Sequence, residues 1–430
     1  MIRSNKFGLF LIAAIVISGC TPPDKAGSGT GPSSLSDVPA VRLSYRYEAD
    51  VPPPTVAAKE QDGAINVGIQ RDFELNRSAE TLDRVFPSPD GKKAAVVYSR
   101  PGDQPGDYRL DLYDSGGTLL RKLTSDLMAV HFPDTIRWSP DSRAVAFVAM
   151  LRTATAVPEN PAERESNSGP VVPVEDADEN ANRETASNTN EPAPVSTPQP
   201  PTGILTFRSD QLYLADSDGG GTRPLTQNES LIYYYYEWSP DSSMLVTLAS
   251  TVVEWGYRER GAKSRGEVFV PAGRPRVVER NGRERLLDDS LTSVHPVWSP
   301  DSKKIACAYN DQVRIYDAGG TVPTQAAIPL RNSLLLSSQA YDREQARSLN
   351  APEGSEAPPA NSNQANVSTE TLPDPNTLAS FNPIVALHWA SDELLYFQTA
   401  FIKRMLNEAD SVSSFPRWHR LVFAPQAADN

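Results

Sequence analysis

Trp138-Ser139-Pro140-Asp141-Ser142-Arg143, with the apolar run 144–149 behind it, decides the fold because it recurs. It returns as Trp238-Ser239-Pro240-Asp241-Ser242-Ser243 and Trp298-Ser299-Pro300-Asp301-Ser302-Lys303, and without the Trp as Ser88-Pro89-Asp90-Gly91-Lys92. A decayed fifth copy, Trp389-Ala390-Ser391-Asp392-Glu393, keeps the Trp and the Asp. Self-similarity at a fixed period marks a string of supersecondary units, none of which can bury its own apolar faces alone.

Each copy reads as strand, tight turn, strand. Pro presets φ at the first central position of a type I turn, Asp suits the second, and Gly or Ser closes it. The Ser before Pro can hydrogen-bond forward into the turn. An apolar strand follows: 94–98, 144–149, 244–248, 305–309 and 394–397. In the better copies a third strand then meets a second tight turn, at Gly116-Gly117, Asp218-Gly219-Gly220 and Gly319-Gly320. A fourth strand ends in Arg121-Lys122-Leu123-Thr124 or Arg223-Pro224-Leu225-Thr226. Four strands with two tight turns on one side make a propeller blade.

From Ser88 to Ser139 is 51 residues and from Ser239 to Ser299 is 60. The other two intervals, 100 and 91, each hold a low-complexity stretch too polar to form a core. Without those stretches every interval is about 50, a blade-length period. The expected fold is therefore all-β: a β-propeller of four-stranded blades, five of them motif-bearing and six in total, over residues 40–425. Residues 41–48 and 64–72 look strand-like, and the last blade shows only three strands before the chain ends. The N-terminal segment is expected to supply the missing outer strand.

The pattern resembles the TolB-type, WD-like propeller repeat, whose consensus is a Trp-Ser-Pro-Asp-Gly turn, an apolar strand and a later Leu-Thr. The resemblance covers about residues 80–425 and departs at Pro87, which holds the Trp place of the first copy, and in the fifth copy. It implies a scaffold that binds proteins or peptides. The family also includes propellers that gate serine peptidases, so membership does not choose a function.

The first residues look like an address. Arg3 and Lys6 precede an apolar run, 7–17, that is too short to span a bilayer. Ile17-Ser18-Gly19-Cys20 follows and looks like a bacterial lipobox, with 1–19 as signal peptide and Cys20 lipidated; the alternative is an ordinary signal peptide with a coincidental Cys. Thr21 after that Cys resembles lipoproteins sent to the outer membrane, which places the protein in the cell envelope facing the periplasm. Residues 20–39, rich in Pro, Gly and Ser, read as a flexible tether. Cys307 would then be the one cysteine left besides the lipidated one, on an apolar strand where a buried small hydrophobe is expected.

The formal charge is −13. Such a chain is not drawn to nucleic acid, so the partners expected are a protein or peptide of the envelope and, through the anchor, the membrane. The charge is uneven. Residues 153–203 carry nine acids against two arginines, whereas 256–285 carry nine bases against four acids. Both 153–203 and 343–380 read as disordered insertions. By blade topology they leave the same face as the stretch Glu254 to Arg276. That stretch carries Trp255, Tyr257, Arg258 and Arg260, side-chain types common at interface hot spots, and is the candidate partner-binding loop. Tyr233 and Tyr234 open the run into Trp238. Burial in an innermost strand explains them, and protrusion as binding aromatics is the alternative.

Catalytic signatures are scarce. The sequence lacks a Gly-x-Ser-x-Gly elbow, a phosphate-cradling glycine loop and a His-Glu-x-x-His spacing. No cofactor or metal is implied, and the expectation is a non-enzymatic protein. The rival is a hydrolase or lyase with His295, His388 and carboxylates converging at the channel mouth.

Overall fold

The computed structural model describes residues 34–55, 66–151, 210–350 and 372–426. Strand β1 (Leu43–Glu48) and helix α1 (Val67–Asn76) precede the first sheet, β2 (Thr81–Pro87), β3 (Lys93–Ser99), β4 (Arg109–Asp114) and β5 (Leu119–Lys122). The second sheet has β6 (Met128–His131), β7 (Arg137–Trp138), β8 (Ala144–Leu151), β9 (Gln211–Asp216) and β10 (Arg223–Pro224). Its inner strand is split, since β6 and β7 both pair with β8, with Phe132 at positive φ between them. The third has β11 (Leu231–Trp238), β12 (Met244–Thr251), helix α2 (Val252–Ser264), β13 (Arg274–Glu279) and β14 (Glu284–Leu286). The fourth has β15 (Val297–Trp298), β16 (Lys304–Tyr309), β17 (Gln312–Asp317) and β18 (Gln325–Pro329). Helix α3 (Arg331–Asn350) leads to β19 (Ile384–Ser391), β20 (Leu394–Lys403) and β21 (Val412–Pro425). All pairings within these sheets are antiparallel, and the five sheets are consistent with the blades of a propeller-like fold.

The repeated phrase does more than turn the chain. In each of the four full copies the closing residue donates its N–H to the Ser carbonyl at 2.8–2.9 Å, the bond of a type I turn. The Ser Oγ donates to the Asp carboxylate at 2.5–2.7 Å and accepts the N–H that opens the next strand. The closing residue stands at positive φ, which suits Gly91 but is unusual for Ser142, Ser242 and Ser302. Each serine has a second duty: its Oγ accepts the Asp N–H of the preceding blade, from Asp90, Asp141 and Asp241 respectively, at 3.0–3.1 Å. Asp392 takes the place of that serine in the fifth blade and accepts from Asp301. The tryptophans form a second ladder, with Nε1 of Trp138, Trp238 and Trp298 donating to Phe86, Arg137 and Glu237 carbonyls of the blade before. Apolar clusters join first to second, second to third, third to fourth and fourth to fifth blades.

The N-terminal residues behave differently along their length. β1 pairs with β21 from Leu43↔Pro425 to Glu48↔Arg420, supplying the outer strand that the fifth sheet lacked. Residues 67–72, expected to be strand-like, lie in α1, whose Ile69 and Phe73 cover Val96, Tyr98 and Tyr113 on the flank of the first blade. Residues 34–39, assigned by the sequence to the tether, are docked on the fourth blade: Leu35 and Val38 are buried, and Ser36 Oγ donates to Asp301.

In chain order the stretches 153–203 and 343–380 follow β8 and β18. Residues 153–203 lie outside the described residues. Of 343–380, residues 343–350 continue α3, and 372–380 include a short 3-10 turn, Pro375–Thr377, with Ser380 buried against Ser338. These described portions are ordered structure, unlike the disordered insertion expected there. Cys307 is buried on β16, and burial pushes its thiol far up.

Candidate functional site

The stretch expected to be a partner-binding loop begins as a helix. Thr251 caps α2 by accepting the N–H of Glu254, and the Glu254 carboxylate returns to the Thr251 N–H, a reciprocal box that satisfies two orphan donors. Arg274 grips Glu254 through both of its Nη atoms at 2.8 Å and holds its carboxyl down to about 2.

Trp255 points inward. It packs against Tyr234, Phe132 and Phe269 with ring centroids 5.4, 5.8 and 4.9 Å away, so it seats the helix on the inner strand of its own blade. Tyr233 and Tyr234 are buried in β11 and do not protrude. Tyr233 donates to Glu284 and accepts from Asn228, whereas the Tyr234 hydroxyl is buried without a hydrogen-bond partner among the described residues. Tyr233 and Tyr234 are thus core residues, and Trp255 is half-buried against the latter.

The other three candidates converge. Tyr257, Arg258 and Arg260 line a cleft of about 810 Å³ between α2 with its following segment and the β20–β21 hairpin of the fifth blade. The walls are tied by backbone bonds: Val268 N–H to Arg404 carbonyl at 3.0 Å and Leu406 N–H to Gly266 carbonyl at 2.9 Å. The far wall brings Ile402, Lys403 and Arg404, and the near wall adds Arg265, Val268 and Val270. Sequence reading missed the hairpin's contribution, because nothing local joins position 403 to position 258. The adjacent Lys403-Arg404 was the available signal. Chemically, the cleft offers guanidinium and ammonium donors beside apolar walls, a combination suited to recognising a chain segment.

Of the two histidines of the rival reading, His295 lies just before β15 and His388 lies within β19. His295 stacks face to face on Tyr235, centroids 3.9 Å apart. His388 lies opposite Tyr396 in β19, and burial lowers its pKa. Among the described residues no group of three His, Cys, Asp or Glu side chains could hold a metal ion, and no helix is long and apolar enough to cross a membrane.

No family model and no curated protein matches the chain. Solved β-propeller structures do. One, described as TolB from Agrobacterium tumefaciens, is 16% identical over 57% of this chain and 66% of that one, with a TM-score of 0.25. Prolyl oligopeptidase B from Galerina marginata is 11% identical over 61% of this chain and 31% of its own, with a TM-score of 0.35. An oligogalacturonate lyase in complex with manganese is 11% identical over 80% and 78%, with a TM-score of 0.25. The chain thus spans about two thirds of the TolB structure and under a third of the peptidase. The expectation of a non-enzymatic protein is corrected here, because enzymes stand among these structural neighbours.

Proposed function

We propose that this protein is a lipid-anchored propeller of the bacterial cell envelope that docks a protein or peptide partner in the cleft between α2 and the β20–β21 hairpin. The observation that carries the reading is the cleft itself, built from two non-adjacent blades and lined with exposed Tyr257, Arg258 and Arg260. Loops on a rigid scaffold are where such folds carry function. The anchor reading rests on Ile17-Ser18-Gly19-Cys20 after an apolar run, residues outside those described.

The docked N-terminus supports an orientation. Ser36 bonds Asp301, Ala40 N–H donates to Asp317, and Val41 N–H donates to Thr324. All three acceptors belong to the tight turns of the fourth blade, on the face opposite the cleft. A tether leaving there would turn the tight-turn face toward the membrane and the cleft away from it.

Replacing Cys20 by Ala should move the protein from the membrane to the soluble fraction. A partner captured from detergent extracts of wild-type membranes should be lost when Val270 and Ile402 are both changed to Asp. Full membrane retention of the Cys20→Ala protein would contradict the anchor, and undiminished capture by the double variant would contradict the cleft.

A further inference from the structure

We infer that the occupant of the cleft is an acidic, extended peptide segment whose carboxylates are interspersed with apolar side chains. This rests on the cleft being the binding site and names the chemistry of what it takes. The lining holds five cations, Arg258, Arg260, Arg265, Lys403 and Arg404, against one acid, Glu267. Glu267 is already engaged, with Arg265 Nε at 2.8 Å and Lys403 Nζ at 4.0 Å. Arg258, Arg260 and Arg404 make no ion pair among the described residues, although acids outnumber bases 54 to 41 in the chain. Bare arginines gathered in one concavity of an acidic protein form a local field that composition does not explain.

Two glycines shape that field. A Cβ at Gly256 would lie 3.2 Å from Arg260 Nη1, and one at Gly261 would lie 3.4 Å from Arg265 Nη1. Both arginines therefore fold back along α2 over the residue four positions earlier, the direction helical side chains favour. Without side chains at 256 and 261 the guanidinium groups lie low on the helix.

The apolar component is equally exposed. Tyr257, Val268, Val270 and Ile402 keep 75%, 40%, 49% and 44% of their surface. Purely anionic ligands leave that surface wet, whereas a peptide alternating carboxylate and apolar groups covers both components. A long polyanion such as nucleic acid meets the net negative charge of the rest of the protein, while a short peptide segment senses charge within about 8 Å at physiological salt. The walls are held by the backbone bonds already described, so little ordering accompanies binding.

The test uses fluorescence anisotropy with the mature chain and a labelled short peptide alternating Glu with Leu and Gly. The comparison probes are its Gln counterpart, its Lys counterpart and a single-stranded oligothymidylate. The Glu peptide should bind at least about tenfold tighter than the Gln peptide, a difference of about 1.4 kcal/mol. Its affinity should fall with salt. Arg258→Glu combined with Arg404→Glu should weaken it about a hundredfold or more, with circular dichroism unchanged because both side chains are exposed. Equal binding of Glu and Gln peptides, no binding of the Glu peptide, or equal binding of oligothymidylate would each overturn the acidic-peptide assignment. If peptide binding is independent of charge yet lost in the Val270→Asp, Ile402→Asp variant, the cleft stands and only its charge class fails. If Glu-peptide binding is unmoved by every cleft variant, the cleft itself fails.

Discussion

A chain beginning at Val51 should fail to fold as a soluble monomer, whereas one beginning at Ser34 should unfold cooperatively. The removed segment makes three separate contributions. β1 covers one edge of β21, a strand of 14 residues that would otherwise offer a free edge for aggregation. Leu35, Val38 and Ala40 sit in the apolar cluster shared by the fourth and fifth blades, and burying a side chain the size of Leu or Val is worth about 1.5–3 kcal/mol. Asp50 accepts from both Nε and Nη2 of Arg417 at 2.8 Å, and Arg417 is only 3% exposed. Taking the carboxylate away leaves the buried guanidinium leaning on Ser338 and the ring of Tyr341; because the Asp50 side chain is itself 41% exposed, the loss is that of charged hydrogen bonds, about 1.5–3 kcal/mol. Together these approach the whole stability of a typical domain, about 5–15 kcal/mol. Urea unfolding of the two truncations decides it. A difference below about 1 kcal/mol, of the order of an ordinary surface change, would show that the N-terminal strand is ornamental.

Arg77→Met should be the most destabilising single change at the flank of the first blade. Arg77 leaves the C-terminal end of α1 and lies between Phe73 and Tyr98, 4.2 and 4.1 Å from their ring centroids. It donates to Tyr113 at 2.7 Å, pairs with Glu80, and touches Asp111 Oδ2 at 3.0 Å. That last contact is an ion pair out of hydrogen-bond alignment, since Asp111 Oδ2 has no donor among the described residues, while Tyr98 donates to Oδ1 at 3.3 Å. Asp111 is fully buried. Met preserves the packing between the rings and strands the carboxylate, for a loss of about 3–5 kcal/mol.

The pH dependence carries a sign. Burial already pushes the Asp111 carboxyl up, with Arg77 opposing the shift. A carboxyl raised in the folded state holds a proton there that the unfolded chain has released, so stability falls as pH rises through that window. Losing Arg77 extends the window upward. The Arg77→Met deficit should therefore be largest at neutral pH and shrink under mildly acidic conditions. Urea midpoints of both proteins at the two pH values test this, and a deficit that does not change with pH would remove Asp111 from the account.

Much of this structure was legible from the turn phrase, because its chemistry is local. Pro, Asp and the forward-bonding Ser specify the turn within four residues, and the strand behind it is apolar enough to identify. The second role of Ser142, Ser242 and Ser302, accepting from the blade before, was hidden in a position that reads as an ordinary turn closer. Helix α1 was hidden by composition. Val67 and Ile69 flank Gly68, so the stretch mimics a strand, and the reason for the glycine is tertiary: a Cβ there would stand 2.3 Å from the Gly116 carbonyl oxygen. Helix α2 was readable, since Thr251 and Glu254 form a capping box, but the valines and glycines after it dilute helix propensity. Half of the candidate site was visible as a run of bases and aromatics. The other half comes from the fifth blade, nearly 150 residues later, and only the fold brings Lys403 and Arg404 to Arg258.

Site-specific photo-cross-linking in the native host tests the docking reading most directly. A photoreactive benzophenone side chain in place of Tyr257 stands on the cleft wall, and one in place of Val322, also exposed, stands at a tight turn of the fourth blade on the opposite face. The expected result is a light-dependent adduct with another protein from position 257 and none from position 322. An adduct confined to position 322, or none from position 257, would contradict docking in the cleft.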